Sequence, residues 1–510
     1  MSFSRTSGVL LHPTSLPSQF GIGDLGIEAY RFIDFLADSG QQLWQILPLG
    51  PAGKGNSPYA SYSAMAGNPL LISPELLEKK GLLEKAHLAH LPEFNAETVD
   101  FEQAISTKIP MLRKAGSNFE ANATSFEKQE FLEFCARNAY WLDDYALFMA
   151  LKDAHQGASW NHWEPAIAQR QPDAIEQSQQ RLSQDTFYYK YLQFEFFQQW
   201  SELKRYANQR SIQIIGDIAI YVAHDSADVW AHPENFCLER ETGEPALMAG
   251  TPPDYFSATG QLWGNPVYNW ENLQRENFEW WLQRFRFILN YVDLIRIDHF
   301  RGFEAFWAVK QGETTAMNGE WIEAPGEAFF KALNDKLGHL PIIAEDLGTI
   351  TPEVEALRDR FGLPGMKILQ FAFGDGTQIE KRFLPFSYSH NCVVYTGTHD
   401  NDTTVGWFNQ LSEQARAAVR LYLGCTSSEE IHWNLIRLAQ SSVADRAITP
   451  LQDILGLGTN SRMNFPGKAV GNWGWRYQRS NLTPQLSDRL KKIAETYGRT
   501  PILQVSDYKQ

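Results

Sequence analysis

The chain has 510 residues, a hydrophobic fraction of 43% and a formal net charge of −15, enough apolar content for one large barrel or two to three ordinary domains. The acidic balance argues against the basic footprint that nucleic-acid binding requires, and no Lys/Arg run suggests a membrane-surface patch. No stretch approaches about 20 consecutive apolar residues, the length needed to span a membrane.

In chain order, the N-terminal apolar run is too short for a signal peptide. It reads instead as a first strand, Gly8–His12. Apolar residues at helical spacing over Ala29–Leu36, stopped by Gly40, predict a helix. A second strand follows at Leu43–Leu47, and then a long stretch from 51 to 210. Helical patterns at Phe126–Leu151 and Phe187–Tyr206 make that stretch an inserted, mostly helical subdomain. The third strand is Ile212–Asp217. A second long segment, 219–270, is rich in Pro, Gly, Asp and aromatics and reads as an inserted loop subdomain. Strands four to eight are Val292–Asp298, Ile342–Glu345, Met366–Ala372, Cys392–Thr396 and Ala447–Pro450. Thr351 caps a helix with Pro352 at its first position. The tail beyond Asn464 ends in a predicted helix, Thr483–Tyr497, with no separate C-terminal β domain.

Eight apolar runs separated mostly by helical patterns predict an α/β fold, a (β/α)₈ TIM barrel within a single catalytic unit over 1–510. Helical and loop insertions follow strands 2 and 3. The competing architecture, an open doubly wound sheet, lacks its Gly-x-Gly-x-x-Gly after the first strand. Cys135, Cys237, Cys392 and Cys425 are widely separated, with no Cys-x-x-Cys pair. Reduced thiols and a cytoplasmic setting are expected. Sixteen tryptophans leave two readings open, an aromatic core or platforms for flat ligands.

Three acids stand at the C-terminal ends of strands, the face where barrel enzymes keep their chemistry. In Asp293-Leu-Ile-Arg-Ile-Asp298, alternation puts Leu294, Arg296 and Asp298 on one face. Either Arg296 and Asp298 form a structural ion pair in the barrel wall, or Arg296 holds a nucleophilic carboxylate ionised. Glu345 ends the fifth strand. It is either a surface acid or, sharing a pocket with Asp298, a general acid whose pKa rises. His399 and Asp400 follow the turn at Gly397. They read as an Asx-type cap or as a third carboxylate with a hydrogen-bonding His. Retaining chemistry at a glycosidic carbon needs two carboxyls flanking the bond. No metal-ligand constellation accompanies these acids, and the chemistry requires no cofactor.

The Arg-x-Asp, Glu and His-Asp elements resemble the α-amylase clan. Asn56–Ser61, Ser63–Pro69, Gly250–Pro266, Arg296–Gly302, Ala344–Gly348 and Thr398–Asn401 are similar to the amylomaltases, the disproportionating 4-α-glucanotransferases of glycoside hydrolase family 77. The resemblance runs from His12 to the end of the chain. It implies Asp298 as nucleophile forming a β-glucosyl-enzyme, Glu345 as acid/base, and Asp400 as the holder of the distorted sugar's 2- and 3-hydroxyls. Arg296 would keep Asp298 ionised and His399 would bind the same sugar. Tyr59 would stack on or border it, and Asp254, Trp263 and Asn464 would line the donor or acceptor groove. The loop carrying Tyr255, Phe256 and Trp263 reads as a solvent-excluding lid. The implied partners are α-1,4-glucans and malto-oligosaccharides, with glucose as acceptor or product, acted on by a monomer. The alternatives are a retaining α-glucan hydrolase and a catalytically inactive glycan-binding protein. A phosphate-handling barrel would need a Gly-rich loop, for which Ile454–Asn460 is a weak match.

Overall fold

A computed structural model describes residues 5–253, 257–374 and 380–500. Twelve strands among them fall in two sheets. They are β1 (Thr6–Leu10), β2 (Leu43–Gln45), β3 (Gln213–Ile218), β4 (Leu247–Thr251), β5 (Gln261–Pro266), β6 (Leu294–Ile297), β7 (Ala305–Lys310), β8 (Gly319–Glu323), β9 (Ile342–Ala344), β10 (Gly365–Ile368), β11 (Cys392–Tyr395) and β12 (Arg446–Pro450).

Eight of them pair in parallel in the order β10-β11-β12-β1-β2-β3-β6-β9. The ends of that order meet. The Ala344 N–H donates to the Pro364 carbonyl at 2.9 Å, and the Met366 N–H to Asp346 Oδ1 at 2.7 Å. The sheet therefore closes into a (β/α)₈ barrel, as the eight apolar runs predict. Gly8 shows how tightly β1 and β2 approach, because a Cβ there would lie 2.2 Å from the Leu43 carbonyl oxygen. Inside, the Tyr395 hydroxyl of β11 donates to Gln45 Oε1 of β2 at 2.9 Å, a polar strut between strands that are not neighbours. The predicted sixth strand is shorter than expected. It stops at Ile368 and the chain turns into a 3₁₀ segment, Leu369–Ala372.

Between β2 and β3 lie the long helices Phe101–Asn122, Ser125–Ala154 and Ser183–Gln209. The last one buries Phe194, Phe196, Phe197 and Trp200, and the Trp200 indole N–H donates to the Tyr291 carbonyl at 2.8 Å. A buried side chain of this kind contributes roughly 1.5–3 kcal/mol by leaving water. Most tryptophans are buried in this way, so the aromatic richness mainly builds the core; Trp263 and Trp321 are among the exposed large side chains.

The second sheet, antiparallel in the order β5-β4-β7-β8, has no counterpart among the predicted elements. Two of its strands lie in the 219–270 segment and two in the connection after β6. The pattern is hidden because β4 contains Gly250, β5 contains Gly264 and Pro266, and the β4–β5 register shifts between Met248 and Gly250. Among the described residues, no strand follows β12 and no helix is long and apolar enough to cross a membrane.

Candidate active site

The C-terminal ends of β3, β6, β9 and β11 present the polar residues of the barrel mouth. On β6, Arg296 is buried with Asp217 of β3 directly opposite in register. Arg296 Nη1 lies 2.8 Å from both Asp217 carboxylate oxygens and 2.9 Å from Asp298 Oδ1. The Tyr59 hydroxyl donates to Asp217 Oδ2 at 2.7 Å. Burial alone would lower the Arg296 pKa, but Asp217 and Asp298 raise it well above its ordinary value. The guanidinium is thus a permanent cation between two carboxylates. Burial pushes Asp217 up, with Arg296 opposing. Asp217 is a member of this network that sequence reasoning did not single out. Its only local signal is an acid in an otherwise apolar strand, and its meaning appears once β3 is known to be the neighbour of β6.

Glu345 follows β9 and is anchored at both ends of its backbone. Its N–H donates to Ile297 O and its carbonyl accepts from Phe300 N–H, each at 3.0 Å. Its carboxylate accepts the His299 N–H at 2.6 Å and the Leu347 N–H at 3.0 Å. His299 occupies the left-handed region (φ 49°, ψ 50°), rare for a side chain of this size. That turn, immediately after Asp298, aims its amide at Glu345. Burial, reinforced by the Asp298 charge against the opposing pull of Arg296, pushes Glu345 up to about 8. The same burial pushes His299 down to about 4, so its ring is neutral near pH 7.

Asp400 lies on the loop after β11. The Thr396 and Thr404 hydroxyls donate to buried Asp453 at 2.5 and 2.8 Å, and Asn401 Oδ1 accepts from the Thr398 N–H and hydroxyl at 2.9 Å each. With its loop so held, the Asp400 side chain accepts from Asn464 Nδ2 at 2.6 Å, and Arg462 donates to its carbonyl. His399 Nε2 stands 3.5 Å from Asp400 Oδ2. The Tyr59 ring stacks on His399 with centroids 5.3 Å apart and planes at 17°. Tyr59 therefore joins the Arg296 network to the Asp400 loop. Side-chain exposure grades across the mouth, from buried Glu345 to Asp298 at 29% and Asp400 at 47%.

Trp263, on β5, meets the His299 ring edge-on at 4.9 Å, and the Tyr221 ring lies 6.2 Å away. The predicted groove residue Asp254, with Tyr255 and Phe256, lies outside the described residues. The other predicted residues, Tyr59, Arg296, Asp298, Glu345, His399, Asp400 and Asn464, form one connected set with Trp263 packed on it, and His299, which the sequence reading did not single out, links Glu345 and Trp263 to it. Asn464 reaches that set through Asp400. Among the described residues no cluster of three or more His, Cys, Asp or Glu side chains is placed to hold a metal ion. What remains is a pair of carboxyls in contrasting environments, one paired with a cation and one buried with a raised pKa. That contrast suits nucleophile and acid in one reaction.

The chain is similar to known proteins over nearly its whole length. A family model described as 4-alpha-glucanotransferase, glycoside hydrolase family 77, matches residues 11–483. A 4-alpha-glucanotransferase of Synechocystis sp. is 60% identical over 497 residues, 97% of this chain and 98% of that protein. One of Thermus thermophilus is 48% identical over 98% of this chain and all of its own. The solved structure of an amylomaltase from Streptococcus agalactiae in complex with acarbose superposes with a TM-score of 0.94 at 40% identity, covering 97% of this chain and 100% of that one.

Proposed function

The chain belongs to the 4-alpha-glucanotransferases of glycoside hydrolase family 77, and from that membership we propose how its own side chains divide the transfer of an α-1,4-glucan segment. Asp298 is the nucleophile. Its carboxylate attacks the anomeric carbon, the glycosidic C–O bond breaks, and Glu345 gives its proton to the departing 4-oxygen. The donor segment is left as a β-glucosyl ester of Asp298. In the second half, Glu345, now a carboxylate, takes the proton of an incoming 4-hydroxyl. That oxygen attacks the anomeric carbon and the ester bond to Asp298 breaks, so configuration is retained. Asp400, oriented by Asn464 and flanked by His399, holds the 2- and 3-hydroxyls of the distorted ring. Tyr59 borders that sugar.

The observation that carries this assignment is the contrast between Asp298, hydrogen-bonded to Arg296, and Glu345, buried and pushed up to about 8. Trp263, against His299, covers the ester and favours a sugar hydroxyl over water; Asp254 belongs to the same groove by resemblance. Malto-oligosaccharides serve as donors, glucose as the smallest acceptor or a product. One chain supplies every residue of the site, which fits a monomer, and four free cysteines fit a reduced, cytoplasmic setting.

With maltotriose as sole substrate, a ladder of longer and shorter oligomers plus glucose is expected, with total reducing ends constant. A steady rise in reducing ends would make the chain a hydrolase. Asp298→Asn should abolish the ladder. In Glu345→Gln, a donor with a good leaving group should accumulate an ester on the Asp298 peptide, visible by mass spectrometry; an ester elsewhere would overturn the assignment.

A further inference from the structure

Trp321 stands on edge strand β8 with 38% of its surface exposed, and nothing in the mechanism above uses it. It is held rigidly. In register opposite it lies Trp307 of β7, with ring centroids 5.2 Å apart and planes at 66°. Trp307 is itself fixed by an indole N–H donated to the Ala316 carbonyl at 2.9 Å. The Arg301 guanidinium lies 3.6 Å from the Trp321 ring centroid. Arg301 donates through Nε to the Ala305 carbonyl at 3.3 Å and through Nη1 to the Thr349 carbonyl. An indole braced by a second ring and a cation loses little entropy when a ligand settles on it.

The location gives this plate a purpose. Arg301 lies three residues past Asp298, and Thr349 four past Glu345. The Arg301–Thr349 hydrogen bond therefore roots the plate on the two loops that carry nucleophile and acid. Carboxylates border it. Glu323 shares its strand face, two residues on, and Glu304 pairs with Arg301 at 3.7 Å. A protein partner calls for a broad apolar patch. A single flat ring rimmed by hydrogen-bond acceptors suits a pyranose, whose face is apolar C–H and whose edge is hydroxyl.

We propose that Trp321, braced by Trp307 and Arg301, is a platform outside the catalytic cleft that stacks on one glucose ring of a long α-1,4-glucan and gives the enzyme a preference for longer chains. The proposal rests on the glucanotransferase reading, since it names where more of the same substrate binds. Trp321→Leu retains apolar contact with Trp307 and removes the flat face. The expected result is a KM for amylose of short to medium length raised about fivefold with kcat unchanged, while maltotriose disproportionation stays within twofold. Trp321→Tyr should recover most of the loss. In an Asp298→Asn background, titration with maltoheptaose should show the same fivefold weakening, and maltotriose binding none. Equal losses on maltotriose and amylose would reduce Trp321 to a prop for the active-site loops and overturn the proposal. So would unchanged KM on both, or a Tyr variant as impaired as Leu. Failure of the unaltered chain to disproportionate maltotriose would instead sink the transferase reading itself.

Discussion

Glu345 sits where losing a proton is costly: little water reaches it, and Asp298 is a like charge in the same mouth. Its folded pKa of about 8 lies above the ordinary value of 4.5, so it is protonated at neutral pH, the state that the proposed acid role requires. The basic limb of the kcat/KM profile should therefore fall with an apparent pKa near 8, measured with an oligosaccharide donor; a limb below 6 would contradict the assignment. The same shift has a stability consequence of known sign. A carboxyl whose folded pKa is raised favours the fold while protonated, and that contribution is lost as pH rises from about 4.5 through 8. Glu345→Gln, which cannot ionise, should melt close to the unaltered chain at pH 5 and several degrees above it at pH 8. A gap independent of pH would show that the carboxylate is better solvated than its burial indicates.

At the scale of elements, the β4–β5 hairpin positions Trp263, and its connecting turn depends on Gly260. That residue has φ +68°, and a Cβ on it would lie 2.4 Å from the Thr251 carbonyl oxygen. The hairpin is secured elsewhere by the Ala316 N–H on Thr259 O at 3.1 Å and Asn265 Nδ2 on Val222 O at 2.8 Å. Gly260→Ala should displace the turn while leaving the barrel intact. With maltotriose, the ratio of reducing ends released to transfer products should rise severalfold, because water gains access to the ester before an acceptor does. An unchanged ratio with normal kcat would separate this hairpin from water exclusion. The hairpin was not legible in the sequence: an antiparallel strand needs a partner, and β4 finds one of its two in β7, more than fifty residues away.

The whole molecule depends on closing its barrel, and the C-terminal region helps to do so at the end opposite the active site. Arg499 is fully buried and donates to five carbonyls, those of Thr6, Gln440, Ser442, Ala444 and Asp445, binding the entry of β1 to that of β12. Arg499→Met would remove all five of these bonds, although Arg5 still donates to the Gln440 and Ser442 carbonyls and the Thr6 N–H to that of Asp445, at a cost of about 1–3 kcal/mol. A lower melting temperature with unchanged kcat per folded molecule is expected; a loss of kcat at full stability would place Arg499 in the catalytic machinery instead. The sequence by itself determined the barrel, the order of its strands and which acids end them, because apolar periodicity and strand termini are local properties of the chain. Tertiary structure alone decided that Asp217 shares Arg296 with Asp298 and that Tyr59 lies on His399. It also brought β4 and β7 together and left Trp321 braced at the surface. Each of these depends on which distant segments become neighbours and how much water is left between them, and neither quantity is written in any local stretch of sequence.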